Sequence, residues 1–450
     1  MPGITAPYMW FKLSILYYYL GFCLRRFSSP AQVQHYQSRR WARHRRFLAR
    51  HSPFYQPLLH QNPAAQPGLL PLMHKAAMME NFNLLNTRGL HLERAMATAL
   101  QAEESRNFNT PLQQDLAVGL SSGTSGNRGI FVVSQRERAI WVAAVLHRVI
   151  GFSWRRRRVA FFLRADNKLY QSVKSRLLQF QFFDTLKPFA SLQQQVQQLQ
   201  PQVLVAQPSI LHQLAQAQQA GNLSIHPRQI IAVAEVLEPQ VQQWVAAVFN
   251  TPVKQVYQCT EGFLAATCSQ GHLHFNEDLL MIEPRWLNED KTICHPVITD
   301  FTRRLQPIVN YLLNDVVQVD NVPCPCGSPF MRINRIEGRA DDLLVFTKTN
   351  QQQVWVLPDT LRRLALLNLP VNVQYQIEQV APHQLIIRLQ GQQPLQTKHQ
   401  LLQALAAWCQ SHQLLIPQCT FTDNWEPVPG QKLRRIIGPG INADGPLTLL

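Results

Sequence analysis

Residues 121–129 read SSGTSGNRG, with three glycines, several hydroxyls and one arginine in nine positions. Apolar runs flank the stretch, residues 116–120 before it and 130–133 after it, so it reads as a small-residue loop between two strands. Glycine lets backbone N–H groups turn toward an anion, and Ser and Thr hydroxyls add donors. That is the chemistry of holding a phosphate chain. A Walker loop needs GxxxxGK[ST], which is absent here, and a plain Gly/Ser hairpin is the alternative reading.

Four further groups carry chemistry. Tyr257-Gln258-Cys259-Thr260-Glu261 follows an apolar run. A carboxylate beside a hydroxyl at a strand end can hold Mg²⁺ with phosphate oxygens; otherwise it is a glutamate at a helix N-terminus. Asp315, after Tyr311-Leu312-Leu313-Asn314, suits two vicinal hydroxyls because a carboxylate accepts several hydrogen bonds; the alternative is a turn or capping Asp. Gly338-Arg339-Ala340-Asp341-Asp342 suits a hinge or an ordinary polar loop. Lys432, in Pro-Val-Pro-Gly-Gln-Lys, could reach phosphate and carboxylate oxygens as a point charge, or lie in a basic turn.

A second constellation is Cys268, His272, His274, Cys324 and Cys326. Cys₃His suits tetrahedral Zn²⁺, with His274 the better fourth ligand and His272 left over toward a substrate pocket. Free buried thiols are the alternative, because CxC is tighter than the common CxxC.

These residues need a scaffold. The chain has 450 residues, 46% of them hydrophobic, enough for two or three domains. Residues 31–60 and 90–102 read as helices. Residues 116–345 alternate apolar runs (159–163, 203–206, 230–234, 256–257) with amphipathic segments (210–219, 240–249), which argues for an α/β domain with largely parallel sheets. From residue 343 the texture changes to a smaller set of strands at 354–356, 371–377 and 384–389 with helices at 361–367 and 401–409.

The net charge is +16, crowded into the first fifty residues and Arg155 to Arg158. Such charge favours anionic partners, but no zinc-finger spacing or RNP-type motif points to nucleic acid. Residues 8–24 are aromatic and apolar, end in Arg25-Arg26, and hold Lys12 and four tyrosines. They are slightly short for a span of ~20 residues. The expectation is a helix packed on the body of the protein or lying on an anionic membrane surface. Eight scattered cysteines without a signal peptide suggest a reduced, cytoplasmic protein, with peripheral membrane contact open.

In order, the chain shows SSGTSGNRG, YQCTEG, TDFTRRLQPIVNYLLND, RIEGRADDLL and GQKLRR. This series resembles the adenylate-forming superfamily of acyl-CoA synthetases, peptide-synthetase adenylation domains and luciferases. Within it the chain is most similar to the phenylacetate–CoA ligase branch and its CoF synthetase-like members. Supporting residues are Ser52-Pro53-Phe54-Tyr55, Leu70-Pro71 with Lys75, and Gly271-His272-Leu273-His274 with Glu277-Asp278.

The resemblance implies an α/β architecture: a helical extension over 1–50, a large multi-sheet adenylation domain over 51–338, a hinge at 339–342, and a small mobile α+β lid domain over 343–450. It implies ATP and Mg²⁺. Ser122, Gly123, Thr124, Ser125, Gly126 and Arg128 would lie over the β- and γ-phosphates. Ala234-Glu235 and Tyr257 would flank adenine, Thr260 and Glu261 would meet the α-phosphate and Mg²⁺, and Asp315 and Arg339 would meet ribose or phosphate. Asp341 would be the hinge and Lys432 the adenylation lysine. The implied activity is activation of an aryl or fatty acid as its acyl-adenylate, then transfer to a thiol of CoA or an acyl carrier protein. AMP transfer to a hydroxyl and a non-catalytic binding protein on the same fold are the other readings. Leu163, Asn167, Tyr170, Phe182 and Phe183 lie where the family builds its acyl pocket, with ordinary core packing the alternative. Three departures stand out: Asn127-Arg128 replaces the usual loop lysine, residues 346–350 lack the post-hinge glycine, and the last motif is Gly-Gln-Lys.

Overall fold

The computed structural model describes residues 6–107, 112, 115–121, 129–164, 175, 177–370, 373–427 and 433–439, with the backbone alone for 6–8. The helices are α1 (Ala6–Leu24), α2 (Pro30–His51), α3 (Tyr55–Gln61), α4 (Lys75–Glu80), α5 (Phe82–Leu85), α6 (Leu92–Ser105) and α7 (Gln135–Val145), then α8 (Phe189–Leu199), α9 (Pro208–Gln219), α10 (Pro239–Phe249), α11 (Pro358–Asn368) and α12 (Leu395–Ser411).

The helix expected over 31–60 is two helices. The Ser29 hydroxyl accepts from Gln32 N and Pro30 opens the first turn, so α2 starts cleanly. Val33, Gln37, Trp41, His44 and Leu48 recur at helical spacing and are buried. The helix stops at Ser52, which is extended because Pro53 follows.

The main sheet has two halves. Strands β3 (Arg157–Leu163), β4 (Leu178–Asp184), β5 (Val203–Ala206), β6 (Gln229–Ala232) and β7 (Val253–Gln258) run parallel in the order β4-β3-β5-β6-β7. The sheet continues through β8 (Phe263–Thr267), β9 (Leu273–Phe275), β14 (Arg332–Arg339), β13 (Asp315–Asp320), β11 (Ile293–Asp300) and β10 (Leu280–Trp286), each antiparallel to its neighbour, with β12 (Tyr311–Leu312) beside β11. The expectation of largely parallel sheets is thus corrected to a mixed sheet. The cause is loop length. Cys259 N bonds to Gly262 O at 3.1 Å and Cys268 N to His272 O at 2.8 Å, and such tight turns can only reverse the chain. A helix separates β4 from β5, β5 from β6 and β6 from β7 instead.

Those helices cover one face of the parallel half. Leu192 and Val196 of α8, Leu211 and Leu214 of α9, and Val241 and Val245 of α10 pack on Phe162, Phe183 and Leu204. The other face packs on α7 and on Phe22 of α1. Each fully buried Leu, Val or Phe contributes about 1.5–3 kcal/mol.

A short antiparallel pair, β1 (Ala117–Leu120) and β2 (Ile130–Val133), flanks the glycine loop. Its mouth is pinned: Ser121 N donates to Gly129 O and Gly129 N to Ser121 Oγ, each at 2.8 Å.

After β14 a 3₁₀ turn (Ala340–Asp342) leads to hairpin β15 (Leu344–Thr347) and β16 (Gln353–Val356), α11, hairpin β17 (Tyr375–Ala381) and β18 (Gln384–Leu389), α12, β19 (Gln418–Thr422) and β20 (Ile436–Ile437). Strands β19 and β20 lie parallel on the two sides of the second hairpin. Leu344, Phe346, Leu361, Tyr375, Leu401 and Leu405 form a separate small core. The chain after β20 returns to the 3₁₀ turn so closely that a Cβ on Gly438 would sit 2.0 Å from Leu343 O.

Candidate active site

A cavity of about 740 Å³ opens at the C-terminal ends of the parallel strands. Leu163 ends β3, Gln207 follows β5, Ala234 and Glu235 follow β6, and Tyr257 stands at the end of β7; all line it. Open α/β sheets expose their loops and helix N-termini at this edge, which is where ligands are received.

The polar end gathers most of the residues singled out in the sequence. Tyr257, Thr260, Glu261, Ala234, Glu235, Asp315, Arg339 and Asp341 all line the one cavity. Strand pairing brings Asp315 opposite Arg339. The Tyr257 hydroxyl donates to Asp315 Oδ2 at 2.6 Å. Burial first, then the Asp315 carboxylate, holds that phenol well above its ordinary range, so it stays a donor. The carboxylate of Glu261 is held from both sides: Thr260 Oγ1 donates to Oε2 and Tyr311 OH to Oε1, each at 2.8 Å. Burial and the Glu261 charge push the Tyr311 phenol far up, so it too remains protonated. Gly262 leaves room behind this turn, since a Cβ there would meet Asp300 Oδ2 at 3.0 Å.

Glu235 accepts from Ser209 N and Oγ, both at 3.1 Å, which ties the loop after β6 to the first turn of α9. Ala234 in that loop has φ +67°, a left-handed conformation unusual for a residue with a side chain. Asn314 Nδ2 donates to Asp341 Oδ2 at 2.6 Å across the strand end. Asp342 is ion-paired with Arg434 from the last described segment.

The loop residues Ser122, Gly123, Thr124, Ser125, Gly126 and Arg128, and Lys432, lie outside the described residues. Their flanks do not: Ser121 and Leu433 both line the cavity. Sequence reasoning missed Tyr311, Arg303 and Arg434 as site residues. Arg303 is buried and donates to Thr260 O at 3.0 Å, bracing the turn that carries Glu261. All three stood inside motifs already quoted, but nothing in the spacing told them from neighbouring core residues.

The other end of the cavity is apolar, walled by Val145, Val149, Ile150, Phe161, Phe180 and Val205. Of the expected pocket residues, Leu163 lines it, whereas Asn167 and Tyr170 lie outside the described residues. Phe183 points to the opposite face of the sheet, stacked on Phe162 with ring centroids 4.4 Å apart, and Phe182 packs in the core beside the cavity without lining it. The core reading of Phe183 follows from the two-residue period of a strand: Phe162 and Phe183 are register partners, so both face the other layer.

The Cys/His set converges as well. The ligand atoms of Cys268, His274, Cys324 and Cys326 all lie within 4.8 Å of one another. The Sγ atoms of Cys268 and Cys324 are 3.9 Å apart, and Cys326 Sγ is 3.6 Å from His274 Nε2. Zn–S bonds of about 2.3 Å and a Zn–N bond of about 2.0–2.1 Å at tetrahedral angles require roughly these separations. His274 Nδ1 faces Phe330 O at 2.9 Å, which leaves Nε2 turned to the thiols, as a ligating imidazole needs. The donor set fits Zn²⁺. His272 is half-buried near Asp320 and does not line the cavity, against the expectation that it faces a pocket.

Three comparisons bear on this arrangement. Residues 176–288 match the family model described as AMP-binding enzyme. Protein CapK of Staphylococcus aureus is 28% identical over 149 residues, 32% of this chain and 33% of that protein, so the match spans about a third of the relative's length. Among solved structures, 2-hydroxyisobutyryl-CoA ligase in its postadenylation state with 2-HIB-AMP superposes with a TM-score of 0.65 at 16% identity, over 89% of this chain and 88% of that one. The same ligase in its thioesterification state, with 2-HIB-AMP and CoA, gives 0.53 at 16% identity, over 91% and 90%. Residues 176–288 thus resemble the AMP-binding enzyme family, and the chain shares the fold of these ligases.

Proposed function

We propose that the protein uses ATP to activate a carboxylic acid with an apolar body, aryl or fatty, as its acyl-adenylate with release of pyrophosphate. The acyl group then passes to a thiol, on CoA or a carrier protein. The observation that carries this reading is the single cavity whose polar end holds Tyr257, Glu261, Asp315 and Arg339 and whose other end is walled by Val149, Ile150, Phe161 and Phe180. A nucleotide at the polar end and an acid with its tail in the apolar end would meet carboxylate to α-phosphate. The finer resemblance to the phenylacetate–CoA ligase branch is consistent with such an acid.

Both reactants are anionic, so the site must offset their repulsion. Asp315 would accept two ribose hydroxyls beside the hydrogen bond that its Oδ2 already accepts from Tyr257. Glu261 is the carboxylate that would hold Mg²⁺, which prefers one or two carboxylates plus phosphate oxygens and would screen the charge spreading toward the leaving pyrophosphate. Thr260 and Tyr311 fix the plane of that carboxylate. The glycine loop and Lys432 would supply the remaining donors to the phosphates and the attacking oxygen. Motion of the small C-terminal unit about residues 339–342 would withdraw Lys432 and admit the thiol. The Cys268, His274, Cys324 and Cys326 set would hold a structural Zn²⁺ that clips the β8–β9 turn to the segment before β14.

Pyrophosphate exchange into ATP across a panel of short, aryl and long-chain acids tests the reading. Exchange is expected with aryl or long-chain acids and not with acetate. No exchange with any acid, together with no ATP or AMP binding by calorimetry, would overturn it.

A further inference from the structure

Helix α1 has two apolar faces, and the protein uses only one. Ile15, Tyr18, Tyr19 and Phe22 face inward and pack on the core of α7 and the π-helical turn after it, Leu146–Ile150. The Tyr19 and Phe22 rings each lie 6.0 Å from the His147 ring, and Arg25 and Arg148 both pair with buried Asp278 at 2.6 and 2.5 Å. The helix is therefore docked in a fixed rotation. Its outer face carries Trp10, Leu13, Tyr17, Leu20 and Leu24 at alternating spacings of three and four, an unbroken stripe. These side chains are 47% to 82% exposed. Phe152 and Trp154, 55% and 84% exposed, extend the surface: Phe152 lies 6.1 Å from Tyr19 and 4.8 Å from Trp154. An exposed apolar area of this extent has a partner.

We propose that this face docks on the surface of an anionic lipid bilayer, with α1 lying in the plane of the interface. Charge selects the occupant. Exposed Arg26 closes the C-terminal end of the stripe, and exposed Arg155 and Arg156 follow Trp154 directly. Arg138 stands 5.4 Å over the Phe11 ring near the other end. No acidic residue occurs before Glu80. A second copy related by a two-fold axis would meet this patch with the same patch, bringing arginine to arginine, since such an interface is self-complementary. Anionic headgroups meet it with opposite charge, at about 1 kcal/mol per basic residue near the surface. The tryptophans and tyrosines suit the headgroup level, where an amphipathic ring keeps its polar edge wet. Among the described residues no helix is long and apolar enough to cross a membrane, so the contact is along the surface. None of this depends on the adenylation reading.

Flotation of the full chain with phosphatidylcholine vesicles and with phosphatidylcholine–phosphatidylglycerol vesicles tests the proposal. Binding is expected to the anionic vesicles, with a blue-shifted tryptophan emission, and to weaken as salt rises. Leu13→Glu with Leu20→Glu should lower the partition coefficient on the order of a hundredfold, because two outward leucines lose their burial. Arg155→Glu with Arg156→Glu should lower it by roughly tenfold or more and remove the preference for anionic lipid. Equal thermal midpoints for variants and wild type verify that the fold is kept. Brominated acyl chains add a readout on the unaltered surface: they should quench wild-type emission, and Trp10→Phe with Trp154→Phe should lose most of that quenching. No binding of the wild type to anionic vesicles overturns the proposal. So does unchanged binding by the folded Leu13/Leu20 variant, or a wild-type dimer that this variant splits while neither form binds vesicles.

Discussion

The Tyr311 hydroxyl donates to Oε1 of Glu261 at 2.8 Å, while Thr260 occupies Oε2 at the same distance. Tyr311 sits on β12, fifty residues further along the chain, so the antiparallel half of the sheet orients a carboxylate carried at the end of the parallel half. A hydrogen bond to a charged group contributes about 1.5–3 kcal/mol. Tyr311→Phe keeps the buried ring and removes only this bond. The expected result is a drop of roughly tenfold to a hundredfold in kcat/KM for pyrophosphate exchange, partly recovered at high Mg²⁺. Glu261→Gln should lose more and recover nothing. A Tyr311→Phe enzyme with wild-type Mg²⁺ dependence would sink the positioning role.

Asp315 and Tyr257 make a second test, because they are hydrogen-bonded to each other at 2.6 Å. Asp315→Ala removes the acceptor proposed for the ribose and leaves a buried phenol without a partner. KM for ATP should rise by one to two orders of magnitude, with KM for the acid little changed. Tyr257→Phe should raise it by about tenfold or less, since the carboxylate remains. Equal effects of Asp315→Ala on both substrates would indicate collapse of the strand end, not a lost ribose contact.

What could be read beforehand divides along physical lines. Helices α9 and α10 and strands β3, β5 and β6 came from local patterns: proline-initiated amphipathic stretches and short apolar runs. The antiparallel half did not, because Phe263–Thr267 and Ile293–Asp300 are buried on both faces and show no alternation to separate them from parallel strands. Tyr257, Glu261 and Asp315 were singled out by the order of the motifs in the resemblance, since each alone reads equally as a strand-end, capping or turn residue. Tyr311 and Arg303 were not, because a buried Tyr or Arg in a mixed segment looks like core until its partner is placed. Phe183 stayed open between pocket and ordinary core because composition does not fix which face of a strand a residue takes.

The cysteine cluster predicts a metal that should come with the protein. Elemental analysis of the purified chain should find about one zinc per molecule, and Cys324→Ser or Cys268→Ser should reduce it sharply. Loss of the clip between the β8–β9 turn and the segment before β14 should lower the thermal midpoint by on the order of 5–10 °C, and chelation of the wild type should do the same. Exchange activity at low temperature should survive, since the four ligands do not line the cavity. Zinc-free protein with an unchanged midpoint would refute the structural role.

Two buried groups predict opposite pH slopes of stability. His44 on α2 is buried with neither ring nitrogen hydrogen-bonded. Burial first, then Arg304, Arg40 and Arg136, pushes its imidazolium down to about 3 from 6.5. A depressed pKa means the folded state holds fewer protons, so its stabilisation is present above pH 6.5 and is lost as pH falls toward 3. Glu337 on β14 is held up at about 7, against an ordinary 4.5, by burial and then by Asp359. Its raised pKa reverses the sign: the stabilisation is present below 4.5 and is lost as pH rises through 7. Each slope is at most about 1.4 kcal/mol per pH unit. Urea midpoints measured across this range should therefore peak inside it. His44→Leu should flatten the acid limb, because an apolar side chain there leaves no unpaired nitrogen and takes up no proton. Glu337→Gln should flatten the neutral limb and leave the acid limb alone. Identical limbs in wild type and in both variants would mean that neither group carries the pH dependence.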